Sequence, residues 1–495
     1  MKNVLILINK EKLFRFKLPA AYIFIFFLTF ALYAPTLKFG ITSPDDVKLV
    51  KVLAPVYERP YSIALAFVNN VFYDTDTYVF YYRPMLSLSF IIDSKIVKAL
   101  EAASISVSTV NFAHFTNIIL HCLCAVLVFF FFRRYLFDFK LSFAAASLFA
   151  AHPIALQTVA WIPGRNDSLL LMFFIPCFAF FIDYLRTKDW HFLFLHMLFL
   201  LFCLGTKESA VVVVPLLFLY YFLDKKNYSK LNAGIYVLWT LVLAAFFLVK
   251  SAVVPGQFQN MLKSEGSLAF LQNCAGFLDM LSAIVFFRAP SAEHIEIKII
   301  ILGIISVLMI LFFAFWKADE KLIKQNAFCI TAILMFFIPS FVVMRFFFQA
   351  NRIYEGFFFI LIIIFSFISR LKDKQKNIAV FIISFLIILS SYITFKHEYI
   401  YKDDLSMWGQ IVGEAPQVKL LPVLFYTDAL VRRSRFDEAL QILTLFAQQT
   451  GFDNISVLAR IEQIYKLRND NENALKVREF IDEKLKLRFA DNSAD

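Results

Sequence analysis

Apolar residues in this chain come in long unbroken runs separated by short charged segments, and those runs decide the fold. Stretches near 18–37, 112–132, 141–161, 168–185, 190–206, 209–223, 233–254, 297–316, 327–347, 353–369 and 377–396 are apolar almost throughout. A helix of roughly 17 to 25 such residues spans the hydrocarbon layer of a bilayer. Lipid offers no partner to backbone N–H and C=O groups, so each run must satisfy them internally as a helix. The pattern predicts an all-α polytopic membrane bundle of about eleven spans. The run starting near Leu18 is long enough to cross and shows no small-residue cleavage site, so it is expected to remain as the first helix.

Charge then sets direction. Lys2, Lys10, Lys12, Arg15 and Lys17 precede the first run. Further clusters are Arg133/Arg134/Lys140, Arg186/Lys188, Lys225/Lys226/Lys230, Lys317/Lys321/Lys324 and Arg370/Lys372/Lys374/Lys376. Basic loops stay cytoplasmic, which puts residues 1–17 in the cytoplasm. The first loop (38–111), the turns around Pro163–Ser168, Lys207–Ser209, Ser251–Lys298 and Gln349–Arg352, and the C-terminal segment then face outward. Residues 268–288 are also apolar, but an added span there would carry Lys317–Lys324 to the outside. They are expected to form an interfacial or re-entrant helix on the outer face.

From about His397 the pattern changes to helical periodicity with frequent charges. Arg435-Phe436-Asp437-Glu438-Ala439-Leu440 and Asp470-Asn471-Glu472-Asn473-Ala474-Leu475 match at an offset of 35 residues, near the period of the tetratricopeptide repeat. Ala439 and Ala474 are expected where two helices cross, with Tyr426, Leu430, Leu443, Ile461, Tyr465 and Ile481 packed around them. The chain thus divides into a membrane domain (18–396) and a tetratricopeptide-like helical hairpin domain (397–495). Two repeats fall short of the three that usually stand alone, so the second domain is expected to lean on the membrane domain or on a protein partner.

Composition agrees with this class: 60% of residues are hydrophobic, 18% are charged, and Phe occurs 63 times. Mean hydropathy is +0.69. The net charge of +11 sits in the interhelical clusters, which explains it without nucleic acid. Six cysteines are scattered, with no CxxC and no His at ligand spacing, so neither disulfides nor a zinc site are expected. No GxGxxG, Walker A or HExxH pattern occurs, which removes dinucleotide, nucleoside triphosphate and zinc-protease chemistry.

Ionisable groups at a membrane face are costly and mark function. On the outward side these are Asp45-Asp46 after Ser43-Pro44, Arg83 in Tyr81-Tyr82-Arg83-Pro84, His152-Pro153, Gly164-Arg165-Asn166-Asp167, Lys207-Glu208 and Asn351-Arg352-Ile353-Tyr354-Glu355. An adjacent pair of carboxylates repels itself, and a carboxylate can take a proton from an attacking hydroxyl. Asp45 and Asp46 are the catalytic candidates, with Asp46 preferred because the residue after Pro44 is placed to turn the chain. Arg83, Arg165, Lys207 and Arg352 suit phosphate oxygens. His114, His152, Asp167, Glu208 and Tyr354 are candidates for substrate contact. Snorkelling side chains and structural ion pairs use the same residue types. Asn111, His114, Asn117 and His121 also form a polar stripe suited to interhelical hydrogen bonds.

In order along the chain, Pro44-Asp45-Asp46, Tyr82-Arg83-Pro84-Met85-Leu86-Ser87-Leu88-Ser89-Phe90, His114-Phe115-Thr116-Asn117, Ala151-His152-Pro153, Val159-Ala160-Trp161-Ile162-Pro163-Gly164-Arg165, Lys207-Glu208 and Asn351-Arg352-Ile353-Tyr354 resemble the transmembrane and tetratricopeptide-repeat O-mannosyltransferase-like proteins, multispanning class C glycosyltransferases. The resemblance implies a polyprenyl-phosphate-linked sugar donor, undecaprenyl phosphate in a bacterial member, and a protein, glycan or lipid acceptor. It also implies inversion at the anomeric carbon on the non-cytoplasmic face of the inner membrane, a periplasmic repeat domain, and an acidic base mapping onto Asp45 or Asp46. The acidic pair has the oxygens for a divalent metal, but the resemblance implies metal independence and no cofactor. Two departures bear on the acceptor: Asn351-Arg352-Ile353-Tyr354 stands where the family has Glu-Arg-Tyr, and there are about two repeats instead of many.

A transporter or flippase for lipid-linked glycans would need a similar number of helices and polar stripes. No internal repeat relates two halves of this chain, and no Gly/Pro-broken helix pair marks a midplane site. A scaffold that only anchors the repeats would leave the outward cluster of Asp45, Asp46, Arg83, Arg165 and Arg352 without a use. Topology is directly testable: a Cys at Asn492 should label with an impermeant thiol reagent applied from outside, and a Cys at Lys374 should not. The opposite pattern would put the acidic pair on the wrong face.

Overall fold

The computed structural model describes residues 2–73, 81–224, 233–254, 266–291, 295–342, 350–414 and 419–491. The basic residues Lys225, Lys226 and Lys230, and Asn492, lie outside the described residues. Among those described, every regular element is a helix. The chain forms two compact units, the first from Met1–Phe39, Ser43–Ser291 and Ile295–Tyr399, the second chiefly from Gly40–Thr42 and Ile400–Asp495.

The first unit is a multispanning membrane bundle. Eight described helices are long and apolar enough to cross a membrane, or nine if Phe139–Ala151 and Pro153–Ala160, bent by 47°, make one span. The bend sits at His152, whose extended backbone precedes Pro153, and proline can neither donate to the preceding turn nor fit within it. The runs expected at 190–206 and 209–223 form shorter apolar helices, Trp190–Leu204 and Glu208–Leu223. They are cut by the Gly205-Thr206-Lys207 turn, where Lys207 is extended. By helix length the count is therefore eight or nine against the eleven expected.

Phe270–Val285 is likewise a shorter apolar helix. It packs along Ile297–Phe315 so closely that a Cβ at Gly303 would lie 2.6 Å from the Leu278 carbonyl oxygen. Only glycine permits that approach.

Two patterns show why these residues build a membrane core. The helix Asp373–Glu398 buries Ile383, Ser390, Thr394 and Glu398, while Phe381 is 76% exposed and Phe385, Ile388 and Tyr392 share its outer face. A helix with polar residues inward and phenylalanine outward is stable only where the surroundings are lipid. Phenylalanine also fills the interior, where Phe149 and Phe357 stack at 5.6 Å and Phe174 meets Phe336 edge-on at 5.5 Å. Such offset and edge geometries align ring quadrupoles favourably.

The second unit contains Asp404–Glu414 followed by the helices Leu420–Val431, Phe436–Gln449, Ile455–Leu467 and Asn471–Asp491. The last two begin 35 residues after the preceding two, the offset read from sequence. Ala439, Ala474 and Ile481 are buried, and Ala439 shares a core with Leu430, Leu443 and Ile461, against which Tyr426 and Tyr465 pack. Gly40–Thr42 belong to this unit through hydrogen bonds from the Gly40 N–H to the Lys402 carbonyl at 2.7 Å and from the Trp408 indole to the Thr42 carbonyl at 3.0 Å.

Gly164 is the tightest point on the way to the candidate site. A Cβ there would lie 2.5 Å from the Gln157 carbonyl oxygen and 2.9 Å from the Thr158 Cα. Gly164→Ala is expected to destabilise the first unit by about 1–3 kcal/mol, the usual cost of overpacking. A lowered midpoint of thermal unfolding in detergent would register it.

Candidate active site

The acidic pair divides into two different residues. Ser43 is the N-cap of the short helix Pro44–Val47, with proline at the first helical position. The Ser43 N–H donates to the Asp46 carboxylate at 3.0 Å, and the Ser43 hydroxyl donates to its other oxygen at 3.0 Å. The Trp161 indole N–H reaches the same hydroxyl at 3.1 Å. Asp46 is fully buried in this capping box. The expectation is thereby reversed: Asp46 turns the chain, and the Ser-x-x-Asp spacing was the signal for it. The Asp45 carboxylate accepts no hydrogen bond from the described residues and remains part-exposed. Burial raises its pKa above the ordinary carboxylate value, opposed by the cations Lys48 and Arg83 beside it.

Arg83 is held by the chain on both sides. It precedes Pro84, which keeps it out of the helical region. Met85 N–H donates to the Gly205 carbonyl at 2.9 Å, tying this segment to the turn that carries Lys207 and Glu208. Arg83 donates to Glu208 Oε2 at 3.0 and 2.6 Å and lies over the Tyr81 ring at 4.1 Å. Lys250, near the end of the helix Ala233–Val253, adds a further positive charge beside Glu208 and Arg83. Sequence reading missed Lys48 and Lys250, although Lys250 is the one charge in that apolar run.

A second charged group adjoins the first. Lys207 pairs with buried Asp167, and Asn351 Nδ2 donates to the other Asp167 oxygen at 2.8 Å. The Asn351 N–H donates to Gln157 Oε1 at 3.2 Å. A glutamate at 351, as in the resembling family, would set two carboxylates against each other there. Glu355 is buried with Asp167 and Lys207 as its charged neighbours. Arg352, half-buried, stands on the short helix Ala350–Ile353 beside Asn351.

Arg165 has a different use from the one expected. Fully buried, it pairs with Asp93 at 2.7 Å and donates to Asn117 Oδ1 at 2.8 Å, the Ala113 carbonyl at 2.8 Å and the Ser89 hydroxyl at 3.3 Å. Its plane lies over Phe90 at 4.1 Å. This guanidinium is consumed by the fold, so a donor-phosphate role is not carried forward. Asp93, the first charge after the uncharged stretch Pro84–Ile92, was the signal sequence reading overlooked.

Two more candidates are committed internally. His152 Nε2 donates to the Ile284 carbonyl at 3.1 Å while its Nδ1 accepts the Ile154 N–H at 3.1 Å. Tyr354 hydroxyl meets His121 Nδ1 at 2.7 Å in the core. His114 is buried with its ring edge toward Phe39. Among the described residues no three His, Cys, Asp or Glu side chains gather to hold a metal ion. The structure thus brings together Asp45, Arg83, Glu208, Lys207, Asp167 and Asn351, and engages Asp46, Arg165, His152 and Tyr354 in hydrogen bonds within the bundle.

Comparison with curated proteins gives the same direction as the motifs. A stretch of 103 residues is 30% identical to protein O-mannosyl-transferase Tmtc1 of Drosophila melanogaster. TMTC1 of Mus musculus matches at 32% over 111 residues and that of Homo sapiens at 39% over 77. The chain is similar to protein O-mannosyl-transferases. The matched stretches cover 21, 22 and 15% of this chain and only 12, 10 and 8% of those proteins. No model of a known protein family matches. Among solved structures, ArnT from Cupriavidus metallidurans bound to undecaprenyl phosphate aligns with a TM-score of 0.44 at 12% identity, over 83% of this chain and 72% of that one. The apo form of ArnT aligns at 0.41.

The Arg165 cluster generates a stability prediction. Asp93→Ala strands a buried positive charge and should cost about 3–5 kcal/mol, whereas Asp93→Leu with Arg165→Met should recover most of it. Chemical unfolding of the purified variants measures both. Equal, small effects from all of them would mean that the pair is not sealed from solvent.

Proposed function

We propose that this chain is a membrane glycosyltransferase that moves a sugar from a polyprenyl-phosphate carrier to an acceptor hydroxyl, with Asp45 as general base. One observation carries the reading: of two adjacent carboxylates, the fold uses Asp46 and leaves Asp45 unbonded between Lys48 and Arg83. The sequence similarity to O-mannosyl-transferases supports a hexose of the mannose type. The acceptor is a protein or glycan hydroxyl.

The chemistry follows from the charges. The acceptor oxygen attacks the anomeric carbon while its proton passes to Asp45, and the bond from that carbon to the phosphate oxygen breaks on the opposite side. The configuration inverts, and the carrier leaves as its phosphate. Arg83, Lys207 and Arg352, with Lys48 and Lys250, hold the phosphate as its charge grows, which is the dominant electrostatic contribution in such a transfer. Arg83 and Lys207 already face Glu208 and Asp167, so the cations are held in place before the donor arrives. In this reading the protein lies in the inner membrane, with its N-terminus cytoplasmic and its repeat domain periplasmic, and needs no metal or other cofactor.

Asp45→Asn should lower transfer by about two to four orders of magnitude, while Asp46→Asn should act mainly through stability. A carboxylate base works only when ionised, so the rate should fall as pH drops through a pKa lying above the ordinary value of about 4. Removing Lys48, whose charge lowers that pKa, should move the acid limb of the pH profile to higher pH in Lys48→Gln. Release of polyprenyl phosphate from a lipid-linked mannose measures each. Wild-type turnover by Asp45→Asn would end the assignment.

A further inference from the structure

The other end of the bundle carries a cavity that the proposed reaction does not use. The helix Arg165–Thr187 is 23 residues long, so its two ends lie roughly 30 Å apart. Its first residue is in the Asp93 cluster, and Arg186, in its last turn, lines a cavity of about 600 Å³. That volume falls in the range of small-molecule sites. Its floor is aromatic and aliphatic, with Phe131, Phe178 and Phe328 among the lining residues. Five helices contribute, and three of them present there the ends that bear the Arg133/Arg134, Arg186 and Lys321/Lys324 clusters.

The charges of the lining do not cancel. Glu320 is paired with Lys324, and Asp319 accepts the Leu322 N–H at 2.8 Å as a helix cap. Arg186 has only the face of Tyr135, 5.2 Å away. Neither Arg186 nor Lys321 has an acidic partner among the described residues. Three cations against two carboxylates leave the lining of this aromatic cavity net positive, and at a membrane boundary that matches a ligand with an anionic head and an apolar tail.

We infer that this cavity is a binding site for an anionic membrane phospholipid, its phosphate against Arg186 and Lys321 and an acyl chain on the aromatic floor. The occupant is a bilayer phospholipid because the cavity opens where head groups lie and basic residues face them. This site does not depend on the glycosyltransferase reading.

Native mass spectrometry of the full chain with phosphatidylglycerol or phosphatidylcholine tests it. Phosphatidylglycerol should be retained in preference, and affinity should fall roughly fivefold for each charge removed, about 25-fold for Arg186→Gln with Lys321→Gln. Arg186→Lys with Lys321→Arg should preserve binding. So should Lys188→Gln with Lys317→Gln, which removes two cations of the same end that do not line the cavity. Should the neutral double variant fail to fold, Gln325→Glu adds a negative charge to the cavity wall and should also weaken retention about fivefold. The assignment is overturned by equal retention of phosphatidylcholine, by an equal loss in the Lys188/Lys317 variant, or by undecaprenyl phosphate binding there while phosphatidylglycerol does not.

Discussion

The end of the membrane unit that carries the candidate site depends on a guanidinium with no access to solvent. Burying an arginine costs several kcal/mol unless charge and N–H donors all find partners. Arg165 finds partners on two neighbouring helices: Asp93 and Ser89 on Pro84–Ala102, and Asn117 and Ala113 on Thr109–Tyr135. Those partners meet in one register, so the arginine sets how the helices stand against each other. Its influence extends further. Asn117, fixed by Arg165, donates to the carbonyls of Val159, Trp161 and Ile162 at 3.1–3.3 Å. Trp161, held there, reaches Ser43 and completes the cap that absorbs Asp46. Asp45 is left unbonded at the end of that sequence of contacts.

The charges nearer the surface follow another logic. Arg83 with Glu208, and Lys207 with Asp167, are ion pairs at the boundary of the bundle, part-exposed on the cationic side. A pair of this kind keeps its cation oriented without consuming all its donors, so an incoming phosphate can share the arginine or lysine. Arg165 is the contrast: fully buried, it is ion-paired with Asp93 and donates to three acceptors of the surrounding helices. Arg83 and Lys207 differ from Arg165 in the exposure they keep, and residue type says nothing about it.

Residue type and order along the chain determined much. Uninterrupted apolar runs can satisfy their backbone in lipid only as helices, so the all-α membrane class and the position of nearly every long helix follow from the sequence, as does the 35-residue offset of the two C-terminal hairpins. Candidate site residues were also legible as a group, since ionisable side chains at a membrane face are rare enough to count. Apart from the local Ser-x-x-Asp cap, which of them are bonded and which are left open is visible only in the tertiary structure. Adjacent Asp45 and Asp46 differ because Ser43, itself held by the Trp161 indole, bonds the second carboxylate and not the first. Arg83 and Arg165 differ because Asp93, 72 positions before Arg165, lies across the latter. Breaks at Gly205 and His152, which bring the count of full-length helices below the number of apolar runs, arise from local backbone conformations that hydrophobicity does not encode. Periodicity and charge act on neighbours in sequence, whereas the partner that fills a donor or leaves it open is supplied by the packing of distant helices.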